Sequence, residues 1–418
     1  MMVTHAAYDC DVLVVGGGIV GLSSAYALTR TAPGTRVTVL EKEPGPAART
    51  GPGGGVVHTG IQHAPGSLQA RWTVRGAAEL AAFCAEHGIA HRVTGKLIVA
   101  TAGGELPRLH GLVQRGRAHG LPVRELGPAQ IAEYEPGVRG LAAIRVGTGG
   151  VCDFASVAAR LTAEVTAAGG RVRYGAEVVA VDRRPWGVAV RTSDGRVVRA
   201  RTLVNCAGPS SDRIARLTGD TPGVRTVLLR EASYELAAPG PVRALVHQVP
   251  DPAWRHPGAR LTRGLDGTVR VGPATVPARA DTGYARPAAR LREPASVLGG
   301  PGSWRTALRH RRHDADEAHG SLSRRAVARA VARLLPGVSE DDLRPAPSGA
   351  RTQALLRDGT PVDDFLLRDA PHAVHVLHAP PTAATASLPL GREVARRALL
   401  RAHATGWKPP AVESGHCV

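Results

Sequence analysis

A chain of 418 residues with 43% hydrophobic and 21% charged residues is long enough for two or three domains with substantial cores, and its composition is that of a soluble globular protein. The net charge of +18 invites a nucleic-acid partner, but it is almost all scattered arginine, and 3% aromatic residues leave little to stack on bases, so a solvated basic surface is expected and no nucleic-acid site. No apolar run approaches the roughly 18 residues that cross a membrane, and no basic start precedes an apolar stretch, so neither a transmembrane segment nor a secretion signal is expected.

The first element is the apolar run Val12-Leu13-Val14-Val15, which passes into Gly16-Gly17-Gly18-Ile19-Val20-Gly21 and then the small-residue stretch Leu22 to Leu28. This predicts a buried strand, a tight turn and a helix. Gly16 serves the turn, Gly18 lets the backbone approach a pyrophosphate, and Gly21 lets helix and sheet pack closely. The pyrophosphate would rest on free N–H groups at the start of the helix. A second strand, Arg36 to Leu40, ends in Glu41, about 20 residues past the glycines, where a carboxylate accepts from a ribose hydroxyl. Lys42 follows in the same nucleotide-side turn. FAD and NAD both suit this arrangement.

Residues 44–55, rich in Gly, Pro and Ala, predict a loop. An amphipathic helix is expected to about His87 with Gly88 as its stop, then a strand at Lys96 to Ala100 and a helix from Glu105 to His119 closed by Gly120. The sequence Asp153-Phe154-Ala155-Ser156 starts a helix that runs to Ala168, and a strand follows at Arg171. Residues 178–192, beginning at Val178, read as a small meander with turns at Arg184-Pro185 and Asp194-Gly195. The strand Thr202 to Asn205 leads through Cys206-Ala207-Gly208 into a helix. That strand end is what a two-dinucleotide-binding-fold flavoprotein sets against the pyrophosphate region of FAD, and it favours FAD over NAD.

From Val224 to Arg279 short alternating runs predict antiparallel strands of a separate sheet; residues 285–345 read as mainly helical, clearest from Ser323 to Leu335. A turn at Asp358-Gly359, a strand at Val374 to His378 and a last helix from about Ala383 to Ala402 complete the chain. The expected architecture is α/β: a Rossmann-type FAD-binding domain built from discontinuous segments 8–90, 150–220 and 346–405, an α+β substrate domain with an antiparallel sheet from 91–149 and 221–345, and a tail at 406–418. Cys10, Cys84, Cys152, Cys206 and Cys417 are odd in number and lack C-x-x-C spacing, which predicts thiols in a reducing compartment, a cytoplasmic location, and neither disulfides nor a metal site.

The glycine turn, Val57-His58-Thr59-Gly60, Pro65-Gly66-Ser67-Leu68, Gly95-Lys96-Leu97-Ile98-Val99-Ala100-Thr101, Val249-Pro250-Asp251-Pro252, Leu261-Thr262-Arg263, Asp363-Asp364-Phe365 and Ala383-Ala384-Thr385-Ala386-Ser387 together resemble the L-2-hydroxyglutarate oxidase/dehydrogenase family, of the D-amino-acid-oxidase-like superfamily. The resemblance implies FAD, oxidation of an L-2-hydroxy acid to the 2-oxo acid by hydride transfer to flavin N5, and electron delivery to oxygen or, through peripheral membrane contact, to a quinone. The chain departs from the family pattern at Arg49 to Gly55, at His247-Gln248 in place of Tyr-Pro, at Arg260 in place of His, and at Pro273-Ala274-Thr275 in place of Pro-Asn-Ala. The cofactor half is therefore expected to carry over better than the substrate half.

Alcohol oxidation beside a carboxylate needs a base, a hydride acceptor and a cation. Arg351 stands where the superfamily keeps a carboxylate-binding arginine, and Arg263 is the candidate for a second carboxylate. His58 is the candidate base, with a reference pKa of about 6.5, and a histidine that only orders its loop is the other reading. His247 stands ready as a substitute for the residue replaced by Arg260. Thr382 and Ala383 would begin a helix whose positive end faces the flavin N1–C2 carbonyl region. Two further readings stay open on the residues: a flavin amino-acid or amine oxidase, and a flavin-binding protein without catalysis.

Overall fold

The structure is a computed structural model that describes residues 8–45, 54–238, 240, 242–250, 258–277, 324–404 and 406–407; the side chains of 229–232, 273–277 and 347–351 lie outside that description. The chain opens with β1 (Cys10–Val15), α1 (Ile19–Thr31) and β2 (Val37–Leu40). It continues through β3 (Val56–Val57), α2 (Leu68–Glu86), β4 (His91–Val93), β5 (Lys96–Ala100), α3 (Leu106–Ala118), β6 (Val123–Leu126), α4 (Pro128–Tyr134), β7 (Ala142–Val146) and β8 (Gly150–Cys152). Next come α5 (Phe154–Ala167), β9 (Arg171–Arg173), β10 (Val178–Arg184), β11 (Gly187–Thr192), β12 (Val197–Asn205) and α6 (Ser211–Leu217). The last part holds β13 (Val224–Leu236), β14 (Leu245–Gln248), β15 (Arg260–Arg263), β16 (Val269–Pro277), α7 (Arg324–Ala332), β17 (Leu343–Leu356), β18 (Leu366–Ala370), β19 (Ala373–His378) and α8 (Ser387–His403).

Two compact units share these elements: residues 1–51, 154–226 and 362–418 in one, 52–153 and 227–361 in the other. In the first, β1 pairs in parallel with β2 and β12, β2 with β9, and β12 with β19, while β10 and β11 add an antiparallel meander onto β12. β1 and β2 are buried at every residue, as parallel strands covered on both faces are. α1 and α8 pack closely because their contact is lined by small residues: a Cβ on Gly391 would lie 2.5 Å from the Ser23 carbonyl. Gly88 (φ +63°) and Gly120 (φ +67°) take the left-handed conformation that closes α2 and α3, as their sequence positions predict.

The second unit carries an eight-stranded sheet in the order β17-β13-β16-β15-β14-β5-β7-β6. All its printed pairings are antiparallel except β14 with β5, which run parallel and join the two inserted segments into one sheet. One face buries Leu97, Val246 and Leu261 with Val331 of α7, and the other buries Ile98 and Ile144 with Leu109 and Val113 of α3. A small sheet, β3-β8-β4, completes the unit.

The packing divides the chain differently from the expected domain segments. Residues 52–90 belong to the second unit, since Ile61 enters the core with Ile98 and Leu109, and β3 and β4 both pair with β8. Residues 346–361 stay there too, because β17 runs unbroken from Leu343 to Leu356. Most of the stretch expected to be helical, from 285 to 323, lies outside the described residues; α7 covers its clearest part. The final helix begins at Ser387, not near Ala383: Pro380 and Pro381 lead into a single 3-10 turn at Pro381–Ala383, and Pro389 falls in the first turn of α8, where a missing N–H costs nothing.

Candidate active site

The glycine turn forms one wall of a cavity of about 160 Å³ in the first unit. Gly16 has φ +109°, and a Cβ there would lie 2.3 Å from the Cys206 carbonyl oxygen, so the turn and its neighbour strand both demand glycine. Gly21 is equally constrained, since its Cβ would sit 1.9 Å from the Gly16 carbonyl. Gly18 differs: it is the N-cap of α1 at φ −74°, and a Cβ would meet nothing within 4 Å. Space in front of Gly18, with no side chain capping the helix, is a cradle for an anion on backbone N–H groups.

Glu41 lines the same cavity. Its Oε2 accepts from the Gly17 N–H at 2.6 Å and its Oε1 from the Glu43 N–H at 2.9 Å, so the carboxylate clamps the glycine turn to the end of β2 with lone pairs left for a ribose. Lys42, Val178, Ala207 and Gly208 complete the lining, so seven of the ten expected cofactor residues surround one cavity. Gly21 supports it from behind; Thr382 and Ala383 sit in the 3-10 turn and do not line it.

A buried polar chain fixes the Ala207-Gly208 wall. The Asn205 Oδ1 accepts from the Ala207 N–H at 3.2 Å, and its Nδ2 donates to the Ser211 carbonyl at 2.7 Å and to His375 Nδ1 at 3.0 Å. With Nδ1 accepting, the His375 proton is on Nε2, donated to Asp220 at 2.9 Å, and Arg183 pairs with the same carboxylate. Burial lowers the His375 pKa against the opposing pull of Asp220, and the neutral tautomer is the one this chain of bonds requires. Sequence reading saw His375 only as part of a strand; its two partners, Asn205 and Asp220, lie 170 and 155 residues before it.

In the second unit, the register pairs Leu245 with Lys96 and Thr262, and His247 with Ile98 and Arg260. Period-two alternation therefore puts Lys96, His247 and Arg260 on one face of the sheet. Lys96 is 5% exposed and His247 3% exposed. Burial, then Lys96 and Arg260, push His58 down to about 3; burial, then Arg260, push Lys96 down to about 7; burial, then the same two cations, lower His247. His58 is thus neutral near pH 7, the state a base needs, and its basicity rises when an anion offsets the neighbouring cations.

Arg263 does not join this group. Alternation along β15 sends it to the face of Leu261, where its Nη1 donates to the Val242 carbonyl at 3.0 Å and its charge acts on Glu135. Arg263, expected to hold a second carboxylate, therefore lies on the face opposite Lys96, His247 and Arg260. The Arg351 backbone lies in β17 and its side chain lies outside the described residues. The burial of Lys96 escaped the sequence reading, although a signal existed: it is one of three lysines in an arginine-rich chain and heads an otherwise apolar strand. Among the described residues no His, Cys, Asp and Glu group could hold a metal, and no helix is long and apolar enough to cross a membrane.

A strand–glycine turn–helix with a terminal acid, a second strand end closing the cavity, and a separate sheet-bearing unit define a two-unit dinucleotide-binding flavoprotein of the α/β class. Residues 11–397 match the model of the family described as FAD dependent oxidoreductase, and the chain belongs to that family. It is 36% identical over 387 residues to the L-2-hydroxyglutarate dehydrogenase of Salmonella houtenae, covering 92% of each chain, and 35% identical to that of Indibacter alkaliphilus, covering 94% of this chain and all of the relative. The human mitochondrial L-2-hydroxyglutarate dehydrogenase is 33% identical over 407 residues, 92% of this chain and 88% of its own. The fold is shared with an L-alpha-glycerophosphate oxidase from Mycoplasma pneumoniae with FAD bound (TM-score 0.75, 21% identity, 96% and 95% of the chains) and with glycine oxidase from Geobacillus kaustophilus (TM-score 0.70, 17% identity, 94% and 96%).

Proposed function

We propose that this oxidoreductase converts an L-2-hydroxy acid, L-2-hydroxyglutarate or a close relative of it, to the 2-oxo acid. The observation that carries the reading is the likeness to L-2-hydroxyglutarate dehydrogenases over 92% of the chain, from bacterial to human relatives. The cavity fits the adenosine and pyrophosphate of FAD: Gly16 and Gly18 give backbone approach, Glu41 takes the ribose hydroxyls, and Lys42, Val178, Ala207 and Gly208 close the walls. Bound FAD supplies the two-electron acceptor.

His58, neutral by burial, takes the hydroxyl proton, and Arg351 orients the α-carboxylate through its planar fork. The first unit is the cofactor domain and the second the substrate domain; oxygen or a membrane quinone reoxidises the enzyme, which is cytoplasmic. An anaerobic titration of the yellow holoprotein with a panel of L-2-hydroxy acids and amino acids tests the reading. Bleaching by hydroxy acids is expected; bleaching by amino acids alone replaces this reading with an amino-acid oxidase, and no bleaching by either removes catalysis.

A further inference from the structure

The cavity wall at Ala207-Gly208 runs into a single 3-10 turn, Gly208–Ser210, that has no side-chain cap of its own. The Asn205 amide holds it. Asn205 and His375 are fully buried, and the amide has both Nδ2 protons and its oxygen in use: Oδ1 takes the Ala207 N–H, and Nδ2 gives one proton to the Ser211 carbonyl and one to His375 Nδ1. Asn205 and His375 are register partners on the parallel strands β12 and β19, so the sheet itself sets their contact.

An amide so placed accepts the imidazole in one state only, with a lone pair on Nδ1. A proton on Nδ1 would face the Asn205 N–H, donor against donor. Turning the amide over to meet that proton sets Oδ1 against the Ser211 carbonyl and Nδ2 against the Ala207 N–H, so either response releases the wall. Asp220 enforces the Nε2–H tautomer from the other side of the ring, its Oδ2 accepting from His375 Nε2, from Thr218 Oγ1 at 2.7 Å and from Arg183 of β10. Arg368, the register partner of His375 on β18, is the further charge acting on the ring. α6 and α8 also pack against β19, and their charges are engaged elsewhere: Asp212 pairs with Arg216, Arg213 with Glu177, and Arg397 with Glu393 and Asp369.

We propose that His375 is a positioning residue for FAD: the cavity holds the cofactor with His375 Nδ1 unprotonated, and a proton on Nδ1 loosens the Ala207-Gly208 wall and releases the cofactor. The inference goes beyond the substrate reading and rests only on FAD occupying the cavity of the glycine turn. FAD binding and protonation of His375 then oppose each other, and the apparent affinity follows the fraction of neutral His375, falling by up to about tenfold per pH unit below its folded pKa. Burial lowers that pKa from 6.5, so affinity is full at neutral pH and its loss begins below 6.5.

Titration of the deflavinated protein with FAD, read by flavin fluorescence from pH 8 to 4.5, tests this in wild type, His375→Asn, His375→Leu and Asp220→Asn. Asn at position 375 sets an amide oxygen where Nδ1 stands and does not titrate, whereas Leu offers no acceptor. At pH 7.5 His375→Leu should raise the Kd roughly tenfold or more, as loss of the partner of a buried N–H does, and His375→Asn should recover most of that. The wild-type Kd should climb as the pH falls while that of His375→Asn stays level. Asp220→Asn keeps an acceptor for Nε2 and removes the charge that favours the imidazolium, so its climb should begin at a lower pH than in wild type.

Equal losses in His375→Asn and His375→Leu, or wild-type and His375→Asn profiles that coincide over the whole range, overturn the proposal. Should His375→Leu fail to fold, Asp220→Asn decides against wild type, and an onset that does not move overturns it. Gly18→Val carried alongside separates the two claims. Wild-type affinity in Gly18→Val removes FAD from this cavity and the proposal with it, whereas a loss there together with coincident pH profiles rejects the role of His375 alone.

Discussion

Gly18 and Gly21 lie three residues apart and serve different ends, which a pair of substitutions separates. Gly18→Val places its side chain where a Cβ meets nothing within 4 Å, at a φ of −74° that any L-residue adopts. The apoprotein should lose only the difference between Gly and Val as an N-cap, roughly 0.5–1 kcal/mol, or about 1–4 °C in Tm for a domain of this size. The same side chain fills the approach to the pyrophosphate, and an overpacked contact of roughly 1–3 kcal/mol raises the FAD Kd about fivefold to over a hundredfold. Gly21→Ala reverses the balance. Helix propensity favours Ala by about 1 kcal/mol, but the added Cβ lies 1.9 Å from the Gly16 carbonyl, so backbone must move and the apoprotein itself loses stability. Thermal unfolding of the deflavinated proteins and fluorescence titration with FAD measure the two effects. Gly18→Val that binds FAD with wild-type affinity, or that destabilises the apoprotein as much as Gly21→Ala, refutes the assignment.

Glu41→Ala leaves the Gly17 and Glu43 N–H groups without their acceptor, at a cost of about 1–3 kcal/mol, so FAD retention should weaken while the order of preference among substrates in the remaining holoenzyme holds; a changed order refutes the ribose assignment. Arg351→Leu should lower kcat/KM for a 2-hydroxy acid by roughly 2–5 kcal/mol of transition-state binding, and a fall below tenfold removes Arg351 from the carboxylate site. His375, His58 and His247 all have folded pKa values below the ordinary 6.5, so between 6.5 and their folded values the unfolded chain binds more protons and stability falls as pH falls. His375→Phe should therefore show a shallower loss of apoprotein Tm from pH 6.5 to 4.5 than wild type, and an identical slope refutes the neutral assignment. Cys10, Cys84, Cys152 and Cys206 are buried free thiols, so a thiol reagent should label none of these four in the native protein and all four after denaturation; labelling of any of the four in the native state contradicts this packing.

The cofactor half of the chain was open to sequence reading because its constraints are local. A parallel strand buried on both faces reads as an apolar run, a turn against a carbonyl reads as glycine, and the acid at position 41 follows from the length of one helix and one strand. Each requirement is met within some thirty residues, and Gly16, Gly18, Gly21 and Glu41 take the places that spacing assigns them. The start of the last helix was misjudged because the alanines at 383, 384 and 386 favour helix, yet the chain makes a 3-10 turn at Pro381–Ala383 and enters α8 only at Ser387.

What only the tertiary structure decided depends on strand register and on distance in the sequence. Arg260 and Arg263 look equivalent as letters in one short run, yet an odd separation along a strand sends them to opposite faces, one to the basic cluster and the other to the Val242 carbonyl. Lys96 shares a face with His247 and Arg260 only because β14 pairs with β5 across about 150 residues of chain. The chain from Asp220 through His375 to Asn205 likewise draws on separate segments that meet only through the sheet and its flanking turn. Local backbone chemistry is written where it acts, whereas the electrostatics of a pocket depend on which strands lie side by side.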